Sequence, residues 1–295
     1  MDHCHQEGDK PDEGKARVDP EGRERVLQPR LHGFQDREAV REVSGTPESE
    51  ARGRKNPCRR GRLQDIDWPE DTGEARELQL ALREQVRIVP LKGRIRYVAG
   101  VDAAFAGDSV IAAACLYEYP RLVRIAEAHA VRRVTFPYIP GFLSFREGPA
   151  IMEAVFELRP EPDLILFDGQ GIAHPKGLGI ASHIGVLLGL PTVGCAKSRL
   201  VGDYTPPGPG KGEYSYLVHH GRCIGAVLRT RDGVSPVFVS PGHLVDLEGA
   251  VELVLGCTGR YRIPEPIRCA DRLAGEVKRT LTARGAQVCV KPRSP

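Results

Sequence analysis

The stretch that most constrains the fold is the apolar run from Leu164 to Phe167, which is followed directly by Asp168 and Gly169. A continuous apolar run of strand length is typical of a strand buried on both faces, whereas a half-exposed strand alternates apolar and polar residues. Burial on both faces requires other elements on both sides of the sheet. The run therefore predicts a central strand with an acid at its carboxyl end.

The segments around this run predict a mixed sheet. Three strands are expected before it, and the turn signals at Gly107-Asp108 and Tyr119-Pro120 indicate that they form a meander. Helices and strands then alternate, and an antiparallel ribbon and two helices close the chain. The predicted fold class is α/β, with a mixed β-sheet flanked by helices in a single domain. The predicted strands are RYVAGVDAAF, SVIAAACLYEY, LVRIAEAHAVRRV, PDLILFDG, PTVGCA, EYSYLVHHGRCIGAVLRT and SPVFVSP, and the predicted helices are EARELQLALREQV, AIMEAVFEL, IASHIGVLLGL, LVDLEGAVELVLG and IRCADRLAGEVKRTL.

Residues 1–62 differ in composition from the rest of the chain. Up to Arg62 the chain carries 14 Lys and Arg against 13 Asp and Glu, with Pro and Gly throughout and little apolar periodicity. Such a segment cannot bury enough apolar surface to offset its ordering entropy. We predict a disordered, charged extension over residues 1–62 and a globular domain over residues 63–295. Because its charges nearly cancel, the extension is not expected to be a nucleic-acid-binding tail.

Charge and cysteine content limit the class of protein. A net charge of +3 tolerates a polyanionic partner without requiring one. The eight cysteines form no C-x-x-C pair, which favours reduced thiols over a disulfide or zinc framework. No apolar run approaches the roughly 18–20 residues of a membrane span, and the N-terminus lacks a signal-peptide pattern. These features predict a cytoplasmic protein without membrane association.

Asp102 and Asp168 stand where an ionised side chain is costly. Asp102 follows Val98, Ala99 and Val101 in a predicted central strand, and Asp168 ends the most apolar strand. A buried carboxylate needs a cation or several hydrogen-bond donors, although either residue alone is equally well explained as a turn residue. Two acids at the ends of separate strands of one sheet can converge, and ligand sites of open α/β sheets lie beyond the strands' carboxyl ends.

Glu147 ends the unusual loop sequence FPYIPGFLSFREGP, which runs from Phe136 to Pro149. Pro137 and Pro140 exclude a central strand or a helix interior, so we predict a loop despite its four aromatic residues. Ser144 and Glu147 have the spacing of a capping box, but Pro149 would then be the fifth helical residue and would lack a needed N–H. We therefore predict a helix that begins at Pro149 and leaves Glu147 just outside it.

Asp271 lies on or beside the apolar stripe of the last predicted helix, with a surface ion pair to Arg268 as the alternative interpretation. Four acids from two strands and two helices suit a hard divalent cation with oxygen ligands, Mg²⁺ or Mn²⁺. Two such metals about 4 Å apart would activate water and stabilise the leaving oxygen in phosphodiester hydrolysis.

The run DGQGIAHPKGLG and the residues after it supply further candidates. Glycines here allow the backbone to approach a ligand and expose N–H groups, although the run is not a Walker A or G-x-G-x-x-G motif. His174 could transfer a proton or contact a phosphate, or it could simply be fixed by hydrogen bonds. Lys197 follows a strand, where its ammonium could meet a phosphate, and a solvated lysine is the alternative.

Several segments of the chain occur in the order and spacing of a known family. These segments are YVAGVDAAF, PYIPGFLSFREGP, DGQGIAHPKGLGIASHIGVLLGLPTVGCAKSRL, VSPGH and RIPEPIRCAD. Through them, between Asp65 and Leu281, the chain resembles endonuclease V, the nuclease that acts on deaminated purines. The resemblance implies an RNase H-like fold and metal-dependent hydrolysis of the second phosphodiester bond 3′ to inosine, which leaves a 3′-hydroxyl and a 5′-phosphate.

The resemblance also implies roles for individual residues. Gln170 departs from the family pattern, which has Asn or His at this position. A His can stand at the position of Asp271. The implied metal ligands are Asp102, Glu147, Asp168 and Asp271; the residues that support phosphate chemistry are His174 and Lys197; the strand-separating wedge is Tyr138, Ile139 and Pro140; and Gly169, Gly171 and Gly179 belong to the pocket for hypoxanthine.

Other functions remain open from the sequence. Another RNase H-like nuclease would use the same acids without needing the aromatic-proline loop. A catalytically inactive nucleic-acid-binding module would be favoured by loss of a carboxylate, and all four are present. A small-molecule phosphatase should not display an apolar wedge. We expect a monomer that acts on inosine-containing DNA, with inosine in RNA as an alternative substrate.

Overall fold

The computed structural model of the protein describes Ile66 and residues 68–288. These residues fall within one compact unit, and the predicted extension over residues 1–62 lies outside them. The described elements are α1 (Thr72–Arg83), β1 (Tyr97–Ala106), β2 (Ser109–Glu118), β3 (Val123–Arg133), α2 (Leu143–Glu157), β4 (Leu164–Phe167), α3 (Ile180–Leu188), β5 (Thr192–Ala196), β6 (Tyr214–His219), β7 (Arg222–Leu228), β8 (Val237–His243), α4 (Leu247–Gly256) and α5 (Glu265–Val288).

The described strands form one eight-stranded mixed sheet in the order β3-β2-β1-β4-β5-β8-β7-β6. Strand β4 pairs in parallel with β1 and with β5, whereas the other neighbouring strands are antiparallel. The predicted meander, the mixed sheet and the closing antiparallel ribbon are therefore confirmed.

Strand β4 is buried on both faces, as its apolar run predicts. Because side chains alternate along a strand, Ile165 and Phe167 pack into the core under α2 and α3, whereas Leu164 and Leu166 pack under α4 and the start of α5. The two cores hold the carboxyl end of β4, and with it Asp168, between neighbouring parallel strands.

Helix α2 begins earlier than expected. It starts at Leu143, so Pro149 is its seventh residue and Glu147 lies within the helix. The predicted start at Pro149 is therefore wrong. The capping box, which Pro149 disfavours, does not form either: Phe142 is the N-cap, and the Ser144 hydroxyl lies 2.7 Å from His183 Nδ1. The proline removes one backbone hydrogen bond, but α2 packs its apolar face against β2 and β3. Burial of that face outweighs the local propensity.

Among the helices of the described residues, none is long and apolar enough to cross a membrane. The cysteines within the same residues are Cys115, Cys195, Cys223, Cys257 and Cys269, and all five are free. This agrees with the predicted reduced thiols, while Cys4, Cys58 and Cys289 lie outside the described residues.

Candidate active site

Asp102 and Asp168 are brought together by the parallel pairing of β1 with β4. In that register Val101 is the partner of Phe167, and the Asp168 N–H donates to the Val101 carbonyl at 3.2 Å. Each acid therefore follows directly after a paired residue. Asp102 is not at the end of β1, which continues to Ala106 against β2, but it stands where the pairing of β1 with β4 ends.

Burial and repulsion raise the pKa of the Asp102 carboxyl to about 7. Loss of solvation is the largest cause, followed by the negative charge of Asp168, and Asp271 adds to the effect. The Ala103 N–H, which donates to Asp102 Oδ1 at 2.9 Å, and the charge of Lys197 act in the opposite direction without cancelling it. Loss of solvation and the neighbouring acids thus together disfavour the ionised form of Asp102.

Glu147 reaches the same place from the second turn of α2. Burial, and then the charges of Asp102 and Asp168, raise the pKa of Glu147 to about 8, against the opposing charge of Arg146. Three acids from two strands and one helix therefore face one another. The structure brings these three acids together, and their charges act on one another. That they bind a metal ion stays a prediction.

Lys197 provides the positive charge beside this cluster. Its Nζ lies 2.6 Å from Asp168 Oδ2 and 3.9 Å from Asp271 Oδ2. Burial opposes the charged form, but the hydrogen bond and charge of Asp168 outweigh it, so the pKa of Lys197 is raised. The ammonium is therefore an ion-pair partner of Asp168, with half of the side chain exposed.

Asp271, on α5, lies at the rim of the site. Its side chain is 62% exposed, against 15% for Asp168. The alternative pairing with Arg268 does not occur, because Arg268 pairs with Glu265 at 3.3 Å.

His174 is buried beside the loop that precedes α2. Its Nδ1 accepts from the Lys176 N–H at 3.2 Å, and its ring lies beside Gly141. Burial, and then the charge of Lys176, lower the pKa of His174 to about 4. The imidazole is therefore neutral at neutral pH with its proton on Nε2, so it is both fixed by a hydrogen bond and able to donate one.

The loop before α2 has a buried base and an exposed tip. Phe136 and Phe145 are buried and, with Phe142, form a cluster of ring contacts. Tyr138 is 72% exposed. Ile139 is half-buried against the cluster and Pro140 is exposed. Three of the four aromatic rings anchor the loop, and only Tyr138 faces solvent.

The glycine run packs against the protein more tightly than expected. A Cβ atom added at Gly171 would collide with the backbone of Pro241, and one added at Gly179 would collide with the backbone of Gln170. The Gly171 N–H donates to Ser240 Oγ at 2.7 Å, and the Gly179 N–H donates to the Gly171 carbonyl at 2.9 Å. The expectation that these two N–H groups are available to a ligand is therefore wrong, because both are used inside the fold.

Gln170 and Gly169 lie in the same run. The Gln170 Nε2 donates to the Ser198 carbonyl at 3.1 Å, and its Oε1 is buried without a hydrogen-bond partner in the described residues. A Cβ atom at Gly169 would lie 2.8 Å from Ile180 Cγ2. The run is thus tied to the segment that follows Lys197.

The family model described as Endonuclease V matches residues 80–272 of the chain. That span contains Asp102, Glu147, Asp168, Lys197 and Asp271. The chain belongs to the endonuclease V family. It is therefore a nuclease of the hydrolase class.

Known relatives agree with this assignment. Endonuclease V of Geotalea uraniireducens is 52% identical over 213 residues, which are 72% of this chain and 91% of the relative. The crystal structure of endonuclease V from Streptomyces avermitilis has 43% identity and a TM-score of 0.70, and the match covers 73% of this chain and 96% of that chain. These structural neighbours are consistent with the predicted RNase H-like fold.

A third relative was solved with nucleic acid. Endonuclease V from Ciona intestinalis, in complex with a 24mer DNA containing an inosine followed by a ribo-adenosine, has 26% identity and a TM-score of 0.64. The match covers 72% of this chain and 100% of that chain.

Two supporting residues of this endonuclease V were not identified from the sequence. Ser240 holds Gly171 through its hydroxyl, and Arg262 Nη2 donates to the Lys197 carbonyl at 2.8 Å. Both lie in segments that carry the family resemblance, VSPGH and RIPEPIRCAD. A single serine or arginine in such a segment carries no pattern that predicts its partner, so only the fold reveals these contacts.

The raised pKa of Glu147 predicts that the endonuclease loses stability with rising pH when metal is removed. A folded-state pKa of about 8, against an ordinary value of 4.5, means that the folded protein binds the proton more tightly. The resulting stabilisation is present below pH 4.5 and is lost as the pH rises to about 8. At the upper end of this window, Glu147→Gln should stabilise the metal-free protein by roughly 2–4 kcal/mol.

Urea unfolding in EDTA across this pH window measures the effect. The matched control is Glu153→Gln on the same helix, because Glu153 is exposed and pairs with Arg132 at 3.7 Å. It should change stability by less than about 0.5 kcal/mol. Equal pH profiles for wild type and Glu147→Gln would contradict the interpretation.

Proposed function

We propose that this protein is a DNA repair endonuclease that recognises inosine in DNA. It hydrolyses the second phosphodiester bond 3′ to the inosine with a divalent metal and leaves a 3′-hydroxyl and a 5′-phosphate. The observation that carries the proposal is the convergence of Asp102, Glu147 and Asp168: the charge of Asp168 adds to the raised pKa values of the other two acids, and Lys197 pairs with Asp168. The family membership and the inosine-containing complex of the Ciona relative support the choice of substrate.

The donor set fits a hard divalent cation. Asp102, Glu147 and Asp168 offer carboxylate oxygens, the ligands that Mg²⁺ and Mn²⁺ prefer, and Asp271 is the candidate ligand at the rim. Burial is the largest cause of the raised pKa values of Asp102 and Glu147, and the negative charges of the neighbouring acids add to it. A bound cation would favour the ionised form of both carboxyl groups. When bound, Mg²⁺ would supply an activated water and charge stabilisation for the leaving oxygen.

The chain's own residues position the scissile phosphate. Lys197, beside Asp168, presents an ammonium to the negative charge of the phosphodiester. The neutral His174 holds its proton on Nε2 and can donate a hydrogen bond to a phosphate oxygen, since its Nδ1 is engaged by Lys176. Both side chains are held by the protein before substrate arrives, which keeps the cost of organising the site low.

Recognition of one base requires that the base leave the stack. This costs a few kcal/mol, and the cost is lower at inosine because inosine pairs more weakly than the normal bases. The exposed ring of Tyr138, with Ile139 and Pro140, forms the tip that enters the space left by the base. The segment around Gly169, Gly171 and Gly179 forms the pocket, with its backbone fixed by internal contacts.

The rival functions fit the molecule less well. A catalytically inactive module has no need of the charged cluster, and a small-molecule phosphatase has no use for a rigidly anchored loop with an exposed Tyr138. A different RNase H-like nuclease is disfavoured by the family match over residues 80–272. We further propose that the enzyme acts in the cytoplasm as a monomer.

Inosine in RNA is the second candidate substrate, because the Ciona relative was crystallised with a ribo-adenosine after the inosine. Matched DNA, RNA and mixed strands, each with one inosine, should be compared in Mg²⁺ and in EDTA. The proposal expects metal-dependent cutting of the DNA at least as fast as that of the RNA. Cutting of RNA alone would move the function to inosine-specific ribonuclease, and metal-independent cutting would contradict the proposed chemistry.

Tyr138→Ala should weaken nicking of an inosine-containing duplex by about tenfold, because stacking on one base is worth about 1–3 kcal/mol. A single-stranded inosine substrate should be affected less, since no partner strand has to be displaced. The ratio of the duplex to the single-strand rate is the measurement.

Tyr216→Ala is the matched control, because Tyr216 is 48% exposed on the edge strand β6 at the far end of the sheet. It should leave both rates unchanged. The wedge assignment is wrong if Tyr138→Ala costs nothing on the duplex, even when the enzyme assignment stands.

A further inference from the structure

A second reactive cluster lies away from the carboxylates. The sulfurs of Cys115 on β2 and Cys269 on α5 and a carboxylate oxygen of Glu127 on β3 lie within 4.8 Å of one another. The proposed hydrolysis uses none of these three residues. The two cysteines are 154 positions apart in the chain and meet only because α5 packs on β2.

The surroundings of the cluster argue against a metal cation. Arg124 Nη1 lies 2.9 Å from Glu127 Oε2 and 3.8 Å from Cys269 Sγ, and Arg272 Nη2 also lies 3.8 Å from Cys269 Sγ. A cation bound to these groups would face two guanidinium charges at close range. The arrangement instead suits two thiols that react with each other.

The cluster is close to the surface. Cys115 is fully buried and Cys269 is 6% exposed. The arginine side chains over the Cys269 sulfur are 48% exposed for Arg124 and 51% exposed for Arg272. A small oxidant needs to pass only between these two half-exposed side chains to reach the sulfur.

We propose that Cys115 and Cys269 form an oxidisable dithiol that hydrogen peroxide closes to a disulfide between β2 and α5. In the first step the Cys269 sulfur attacks one peroxide oxygen, the O–O bond breaks, and Cys269 sulfenic acid and water form. In the second step the Cys115 sulfur attacks the Cys269 sulfur, the S–S bond forms as the S–O bond of the sulfenic acid breaks, and the hydroxyl leaves as water with the Cys115 proton. Overall, two thiols and one hydrogen peroxide give one disulfide and two waters, and a thiol reductant reverses the cross-link.

The cross-link would act on the helix that carries Asp271. A disulfide has an S–S distance of about 2 Å, so its closure draws the two sulfurs together and restrains α5 against β2. Asp271 is two residues after Cys269, within reach of Lys197. The start of α5 lies directly against β1, because a Cβ atom added at Gly100 would collide with the backbone of Pro266. A shift of α5 is therefore transmitted to the carboxylate site.

Peptide mapping of the full chain without reduction tests the cross-link independently of any activity. After treatment with hydrogen peroxide, a peptide pair joined through Cys115 and Cys269 should appear and should disappear with dithiothreitol. Cys223, the exposed cysteine of the described residues, is the control for unselective oxidation. Oxidation of Cys223 with Cys115 and Cys269 still free, or cross-links of either cysteine only to other cysteines, would overturn the proposal.

The effect on catalysis rests on the proposed function. Peroxide should reduce nicking of the inosine duplex by about tenfold or more, because small misplacements of catalytic groups cost about that much, and reductant should restore it. Cys115→Ala, which places alanine in a strand already rich in alanine, should keep its activity in peroxide. If the mapped cross-link forms and nicking is unchanged, the dithiol stands but its regulatory consequence is wrong. If the untreated protein nicks nothing, only the proposed function fails.

Discussion

Asp168→Asn is expected to reduce metal-dependent nicking of an inosine-containing duplex by about a thousandfold or more. Asp168 follows directly after the most apolar strand. Its carboxylate pairs with the Lys197 ammonium, and its negative charge raises the pKa of Asp102. The amide keeps the shape of the side chain but loses its charge. It can neither hold a divalent cation as a carboxylate does nor pair with the Lys197 ammonium.

The same change should not unfold the protein. Removal of the Asp168 charge relieves repulsion on Asp102 and Glu147, so the metal-free variant should have about the same free energy of unfolding as wild type, or a higher one. Nicking rates and thermal unfolding in EDTA are measured together. Asp203→Asn is the matched control, because Asp203 is also ion-paired, to Arg199 at 3.3 Å, but its side chain is 98% exposed. If Asp168→Asn kept more than about a tenth of wild-type activity, Asp168 would not be an essential ligand.

Among glycine-to-alanine substitutions in the glycine run, Gly171→Ala should be the most destabilising. The added Cβ would collide with backbone atoms of Pro241 and Ser240, which cannot rotate away as a side chain can. Relief requires β8 to separate from the run, which would also break the hydrogen bond from the Gly171 N–H to Ser240 Oγ. We expect a loss of about 3 kcal/mol, or a fall in Tm of roughly 6–12 °C.

Gly221→Ala separates this clash from the ordinary cost of replacing a glycine. Gly221 has a φ of +73° and nothing within 4 Å of the position of an added Cβ. Its replacement should cost about 1 kcal/mol, which is the penalty of the left-handed conformation alone. Thermal unfolding of both variants measures the difference. Equal losses would contradict the tight packing of the run against β8.

The sequence predicts the parts of the fold that depend on periodicity. The apolar run Leu164–Phe167 can be placed only in a doubly covered central strand, and the alternation of elements then makes the sheet mixed. The sequence also predicts that Asp102 and Asp168 can converge at the ends of two strands of one sheet. It does not predict which strands are neighbours, and the parallel pairing of that strand with β1, which sets Asp102 beside Asp168, is a feature of the fold.

The sequence does not predict the features that depend on tertiary packing. The proline rule places the start of α2 at Pro149, but burial of the helix face extends it back to Leu143 and carries Glu147 into the helix. Nothing local shows that Phe136 is buried while Tyr138, two residues later, is exposed. Likewise, a glycine that serves a ligand and a glycine that admits a neighbouring strand, as Gly171 does, look the same in a sequence.

The proposed function is tested most directly by the nicking pattern of the wild-type protein on two labelled DNA duplexes that differ at one position, inosine in one and adenosine in the other. With Mg²⁺, we predict a single nick one nucleotide 3′ to the inosine, with a 3′-hydroxyl that a polymerase can extend, and no nick in EDTA. Equal cutting of the adenosine duplex, or a nick at the inosine's own 3′ phosphodiester, would contradict it.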